Sequence, residues 1–342
     1  MKVLVTGGCG FVGSNVCEYY IKKGAKVIAY DNMTKHELLR TGYNAEKIRD
    51  YNVNYLKNLG CYVVKSDVRN KEVLFEYASE CDFIIHTAAQ PAVTISIEDP
   101  NMDFTTNVLG TFNVLEAARQ FNIPVISCAT IHVYGNKINL ELKEEKTRYI
   151  RTPSGIDEEY PLLGGIITPL HASKASADIY VRMYIETYKI KAASFRLTGL
   201  YGPKQFGGED HGWVANFCIR AVLGLPITIY GSGKQVRDIL YISDLLAAFD
   251  AFYKNQIPGI YNIGGGEMSM ISLVDCVSLI EKIFDKKVDI KFEPERFADL
   301  KYFVCNINKA VKNISWKPVV TPEVGVKNLI SWVKDNIELF KA

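Results

Sequence analysis

Residues 2–32 leave little freedom in how this chain begins to fold. An apolar run, Val3-Leu4-Val5, leads into Thr6-Gly7-Gly8-Cys9-Gly10-Phe11-Val12-Gly13; a helical stretch follows from Gly13 to Lys23, and a second apolar run, Lys26 to Tyr30, ends on Asp31-Asn32. The three glycines have separate jobs. Gly7 permits a tight turn, Gly10 lets backbone approach a pyrophosphate, and Gly13 lets the helix pack on the strand. Free N–H groups and the positive dipole at the helix start then hold phosphate, with Phe11 and Val12 in its first turn. A carboxylate at the end of the next strand accepts hydrogen bonds from both ribose hydroxyls and repels a 2′-phosphate. Asp31, with Asn32 beside it, therefore favours NAD(H) over NADP(H). Asp67, beside Val68 at the end of the third strand run, is placed to meet the adenine edge, to cap a helix, or to do both.

The alternation continues. Strand runs at Tyr62 to Lys65, Phe83 to Thr87, Val125 to Cys128 and Ala193 to Arg196 are separated by helical stretches, the long ones at Asn101 to Phe121 and Pro169 to Tyr188. Near-continuous apolar strands between helices imply a parallel sheet covered on both faces. The expected fold is α/β: a doubly wound Rossmann domain over 1–190 that regains about 236–260, with a smaller C-terminal α/β lobe from 191–235 and 261–342. A chain of 342 residues exceeds what one compact core usually holds, which agrees with two lobes. The polar segment 136–167, with Lys143-Glu144-Glu145-Lys146, reads as a loop over the active site.

Several classes are disfavoured. The apolar runs are too short to span a bilayer, and no charged-then-apolar leader precedes the first strand, so a cytoplasmic protein without a membrane partner is expected. Eight cysteines form no C-x-x-C pair, which argues against both a disulfide framework and a zinc site, and no metal is expected. A net charge of +2 without a run of five basic residues argues against nucleic acid as the main partner.

With these features the chain resembles the extended short-chain dehydrogenase/reductases, the NAD-dependent epimerase/dehydratase family. Within them it looks most like the CDP-paratose 2-epimerase (CDP-tyvelose epimerase) group. The motifs carrying the resemblance, from Met1 to about Trp332, include His86-Thr87-Ala88-Ala89-Gln90, Asn107-Val108-Leu109-Gly110-Thr111, Val133-Tyr134-Gly135, Leu200-Tyr201-Gly202-Pro203 and Tyr261-Asn262-Ile263-Gly264-Gly265. The stretches Gln205 to Val214 and Gly231 to Asp238 point to the 2-epimerase group. The resemblance implies cofactor contacts from Ala88, Ala89, Gln90 and Asn107, and a homodimer built on the helices 101–121 and 169–188. It also implies transient oxidation of a nucleotide sugar: a hydroxyl loses its proton, hydride passes to NAD+, and the ketone is re-reduced from its other face. The machinery is a Ser/Thr at the end of the fifth strand and a Tyr-x-x-x-Lys on the next helix, the i, i+4 spacing putting both groups on one face.

Thr130 fills the Ser/Thr position and Lys174 the lysine position. The residue four before Lys174 is Leu170, not tyrosine; Tyr19 precedes Lys23 at that spacing, but on the first helix. After Thr130 the 2-epimerase group usually has Asn-Lys, whereas this chain has Ile131-His132. Leucine cannot exchange protons, and losing a positioned base costs about 10²–10⁴-fold. Thr168-Pro169 reads as an N-cap with proline at N1, which puts His171 in the first helical turn. There the dipole and Lys174 disfavour the imidazolium, making His171 a candidate base and His132 a second. The plain alternative is that His171 only caps or packs the helix start.

On the sugar side, the resemblance aligns Arg237 and Arg296 with diphosphate-binding arginines, whose planar guanidiniums match paired oxygens. Ser96, Thr198 and His132 are candidates for the sugar. The nucleobase stays open between cytosine and uracil. Three readings remain at this point: an NAD-dependent enzyme nearest to CDP-sugar 2-epimerisation with atypical acid/base residues, a UDP-sugar epimerase or dehydratase, and a catalytically degenerate protein that still binds NAD and nucleotide sugar.

Overall fold

The computed structural model describes residues 1–34 and 36–341. Its main sheet has seven strands. Five of them, β1 (Lys2–Thr6), β2 (Lys26–Asp31), β3 (Tyr62–Lys65), β4 (Phe83–His86) and β5 (Val125–Thr130), follow one another in the chain; Ala192–Leu197 and Gly259–Ile263 complete the sheet. From one edge the order is 259–263, 192–197, β5, β4, β1, β2, β3, and every pairing is parallel. The chain moves outward from β1 to β3, then returns to β4 on the other side of β1. This reversal opens a crevice beyond the carboxyl ends of β1 and β4, where ligands of doubly wound sheets bind.

Alternate residues of one strand feed opposite faces, so a sheet covered twice needs apolar residues at every position. Val3 and Val5 join a core with Val16, Cys17 and Tyr20 of the helix Phe11–Lys22, while Leu4 packs the other way with Val114, Leu115 and Val181. Continuous runs such as Val3-Leu4-Val5 are the result.

Three boundaries differ from those expected. The strand 192–197 and the strand 259–263 belong to the main sheet, whereas Val236–Tyr241 pairs with Met270–Ser272, Tyr302–Phe303 and Gly199–Tyr201 in a small second sheet. The main sheet therefore takes in the strands 192–197 and 259–263, and the strand 236–241 lies outside it. The stretch 101–121 is interrupted: α-helix over Pro100–Phe104, a π-turn over Thr105–Leu109, then α-helix over Gly110–Phe121. Pairing partners and wide turns of this kind are tertiary choices that apolar periodicity does not encode.

The segment 136–167 is the third difference. None of its residues lines the main cavity described below. Ile138 and Ile156 are buried, and Leu142, Tyr149, Tyr160, Leu162 and Leu163 pack with them against Leu300, Tyr302 and Phe303, forming a third core cluster. The Asn139 side chain donates to the Asp299 carbonyl and accepts from the Lys301 N–H. Its apolar residues, spaced too irregularly to show a period, make it a buttress of the small lobe.

All eight cysteines carry free thiols. Among the described residues no helix is long and apolar enough to cross a membrane.

Candidate active site

The glycine turn behaves as its sequence demands. Gly7 has φ +65°, and a Cβ there would meet Ala88 backbone at 2.7 Å. A Cβ on Gly13 would stand 2.1 Å from the Gly7 carbonyl oxygen, so only glycine lets this helix start against this turn. At Gly10 the nearest atom would be 3.2 Å away, a position whose bareness serves an approaching ligand more than internal packing. The Asp31 carboxylate is held by the N–H groups of Cys9 (2.9 Å) and Met33 (2.8 Å), which aims it at the same end of the sheet.

Asp67 does not cap the following helix. Burial works to raise its pKa, but the Arg69 guanidinium, gripping both oxygens at 2.8 Å, and the Asn32 amide at 2.9 Å hold it down at about 2. The cap of the following helix is Asn70, which accepts from Val73 N–H. Val68 is buried in the core. Gln90 and Asn107 form a closed buried network. Asn107 accepts from Gln90 N–H and donates to the Gln90 carbonyl, Asp103 and Ser173, while the Gln90 amide bonds to Ala92 and Asp103. These bonds brace the loop 87–91.

A cavity of about 800 Å³ joins the remaining pieces. Its lining includes Gly7, Gly10, Phe11, Val12 and Gly13, together with Thr130, His132 and His171 and with Thr198, Arg237 and Arg296. Arg237 is largely buried, donates to the Val236 carbonyl at 2.8 Å and lies 3.9 Å from the Asp299 carboxylate. Burial lowers its pKa, with Asp299 and Asp238 opposing. The Arg296 guanidinium stacks 4.0 Å over the Tyr230 ring. Both arginines also line a smaller adjoining pocket of about 120 Å³ with Glu209, Trp213 and Tyr230. Thr198 donates to Asp238 at 2.7 Å, leaving its oxygen lone pairs for a ligand, and burial pushes Asp238 up to about 6.

Ser96 does not line the cavity. It is fully buried, donates to the Val93 carbonyl at 2.7 Å, and accepts the Leu170 N–H at 3.2 Å. It caps the start of the helix Pro169–Tyr188. Thr94, two residues earlier on the helix Val93–Glu98, lines the cavity instead, and its hydroxyl has no partner among the described residues. Two residues of an α-helix stand about 200° apart, so a hydroxyl at 96 and one at 94 face opposite ways. No sequence signal distinguished the two, because a six-residue helix is too short to show a face.

Lys174 is buried on the helix 169–188, and the cost of burying its charge lowers its pKa to about 8, with Cys128 and Asp103 opposing. Leu170 is also buried and lines no part of the cavity. Thr130 ends β5, lines the cavity and accepts the His132 N–H at 3.3 Å. A buried ion pair ties the helix to the sheet: Asp178 meets Arg196 of the strand 192–197 at 2.7 and 3.2 Å, one turn beyond Lys174.

Set beside known proteins, residues 3–264 match the family described as NAD dependent epimerase/dehydratase. A CDP-paratose 2-epimerase of Salmonella typhi is 35% identical across 97% of this chain and 99% of its own. A UDP-glucuronate 4-epimerase of Thermodesulfobacterium geofontis is 29% identical across 99% and 98%. A crystal structure of UDP-glucuronic acid 4-epimerase from Bacillus cereus, in complex with UDP-glucuronic acid and NAD, superposes with a TM-score of 0.82 at 26% identity, covering 98% of this chain and 100% of that one.

Proposed function

The chain belongs to the NAD-dependent epimerase/dehydratase family, and from that premise we propose that it is an NAD-dependent enzyme acting on a nucleotide sugar by transient oxidation and re-reduction, nearest to 2-epimerisation of a CDP-sugar. One observation carries the reading: the glycine turn and the two arginines line a single cavity that also contains Thr130. A phosphate-binding turn and a guanidinium pair on one cavity suit two diphosphates, one from a dinucleotide and one from an activated sugar.

The residues fit NAD. Gly7 and Gly13 leave no room for a Cβ, Gly10 leaves the helix start bare, and the Asp31 carboxylate suits unphosphorylated ribose. Bound there, NAD supplies an acceptor and later a donor of hydride. Lys174, with its ammonium bonded to no other described residue, would hydrogen-bond the nicotinamide ribose. Thr130 would donate its hydroxyl to the reacting sugar oxygen. Thr198 would accept from a neighbouring hydroxyl. A homodimer through the helical stretches 101–121 and 169–188 belongs to the same proposal, since Leu109, Ile179 and Tyr180 stand exposed there.

The test is to add CDP-glucose and UDP-glucose separately to the NAD-loaded protein and follow the reduced-nicotinamide absorbance band, with NMR of the sugar. A transient or residual band, or a changed sugar, is the expected result; calorimetric binding without either identifies a binder, and no binding of any nucleotide sugar overturns the reading. Arg237→Ala should weaken binding of UDP by roughly 10–100-fold, the range of about 1.5–3 kcal/mol for hydrogen bonds to charged groups, with NAD affinity unchanged. Titration calorimetry with each ligand checks this.

A further inference from the structure

His132 and His171 meet edge to face at the cavity, with ring centroids 5.3 Å apart and planes at 89°. Their roles differ because one of them is already committed. The Thr168 N–H donates to His171 Nδ1 at 3.1 Å, and the Thr168 hydroxyl lies 2.7 Å from the same nitrogen. A backbone N–H can only donate, so Nδ1 must carry the lone pair and the ring proton must sit on Nε2. The alternative tautomer would set two N–H groups against each other in a buried helix cap. Neutral His171 therefore offers the cavity a donor and no acceptor. The candidate base of the sequence reading cannot accept a proton at Nε2 without breaking its own cap.

His132 is the uncommitted partner. Its backbone N–H is anchored to Thr130, yet neither ring nitrogen has a partner among the described residues and neither is sealed from the cavity. The charged and titratable groups that face it are His171 on the helix 169–188 and Arg237 on the strand 236–241, and neither is a carboxylate that would favour an imidazolium. Burial, then His171 and Arg237, lower the His132 pKa, so the unliganded ring is neutral with one nitrogen unprotonated.

We infer that His132 accepts the sugar hydroxyl proton and that His171, through Nε2–H, donates a hydrogen bond to the oxygen left behind. This assignment rests on the NAD-linked reading above and deepens it. The sugar C–H hydrogen would leave with both bonding electrons as hydride to the cofactor, the O–H bond would break with its proton passing to His132, and the carbon–oxygen double bond would form. Return of the proton from His132 and of hydride to the opposite face of the carbonyl restores the alcohol with inverted configuration. Atoms and charge balance, with no other reactant. The Thr130 hydroxyl and His171 Nε2–H then form a pair of donors around the developing oxyanion, the arrangement that strengthens most as charge develops.

Two measurements test this. In the first, wild type, His132→Gln and His171→Gln are loaded with NAD and mixed with the sugar nucleotide that gives turnover. His132→Gln should slow formation of reduced nicotinamide by about 10²–10⁴-fold. His171→Gln, which keeps an N–H donor, should slow it by less than about tenfold, while His171→Phe should lose about 10²–10³-fold. Calorimetry should show NAD and sugar-nucleotide affinities unchanged in all three. Full activity in His132→Gln alongside active wild type overturns the assignment and leaves the function standing; inactive wild type is instead the failure of the function. In the second, ring-nitrogen NMR of the unliganded protein should show His171 protonated at Nε2 and His132 neutral across pH 5–8. A proton on His171 Nδ1, or a His132 imidazolium at neutral pH, overturns the assignment whatever the turnover.

Discussion

Gly13→Ala should abolish NAD binding, and it should do so through the protein's own backbone. The added methyl would lie 2.1 Å from the Gly7 carbonyl oxygen, 2.7 Å from Gly8 Cα and 2.8 Å from the Gly7 carbonyl carbon. All three are main-chain atoms of the turn, and none can swing aside as a side chain would. The helix Phe11–Lys22 must move off β1, which misdirects the N–H groups that would hold the pyrophosphate. A loss of at least about a hundredfold in affinity is expected, on the order of 3 kcal/mol. Gly10→Ala separates the two functions of the turn. Its methyl meets only the Gly7 oxygen at 3.2 Å, so the fold should survive with a small loss of stability. The methyl still stands where the phosphate must come, and NAD binding should fall while thermal unfolding stays near wild type. If Gly13→Ala binds NAD with wild-type affinity in calorimetry, this account of the cradle is wrong.

The largest expected effect on stability is at Asp178. Its carboxylate accepts from Arg196 Nη2 and Nε and from the Ser194 hydroxyl, and both members of the ion pair are almost wholly buried. Arg196 also donates to the Tyr134 hydroxyl at 2.8 Å and the Glu158 carbonyl at 3.1 Å. Asp178→Ala leaves a buried guanidinium without its counter-charge, which costs about 3–5 kcal/mol. Urea unfolding should show this as a lowered midpoint at unchanged slope. The double change Asp178→Leu/Arg196→Met should recover much of the loss, because an apolar pair of similar volume removes the unpaired charge. Failure of the double variant to improve on the single one would mean that the surrounding hydrogen bonds, and not the pair, carry the energy. The effect reaches the site, since Asp178 pins the helix that carries His171 and Lys174 to the sheet. A destabilised Asp178 variant should also bind NAD more weakly.

The residues legible in advance share a property: their chemistry depends on near neighbours in the chain. Gly7, Gly10 and Gly13 with Asp31 define a turn, a helix start and a strand end, all within one βαβ unit, and the structure reproduces them. The doubly wound sheet follows from apolar runs alternating with helices, because a strand buried on both faces has no polar position to reveal a period. Arg237 was legible through the motif around it, and it lines the cavity.

The errors arose where two distant segments decide the outcome. Ser96 and Thr94 exchange roles because the direction of a six-residue helix depends on what it packs against. Segment 136–167 buttresses the small lobe through scattered apolar residues that meet only on β-strand 302–303 and its neighbours.

Local backbone chemistry, then, was determined by sequence alone: where the glycine turn meets the helix start, which strand end carries Asp31, and which class of sheet results. Tertiary structure alone decided the protonation geometry of the two histidines. A histidine's acid or base role depends on which ring nitrogen is already occupied, and the occupant of His171 Nδ1 is a helix-cap N–H whose direction exists only once the helix is docked.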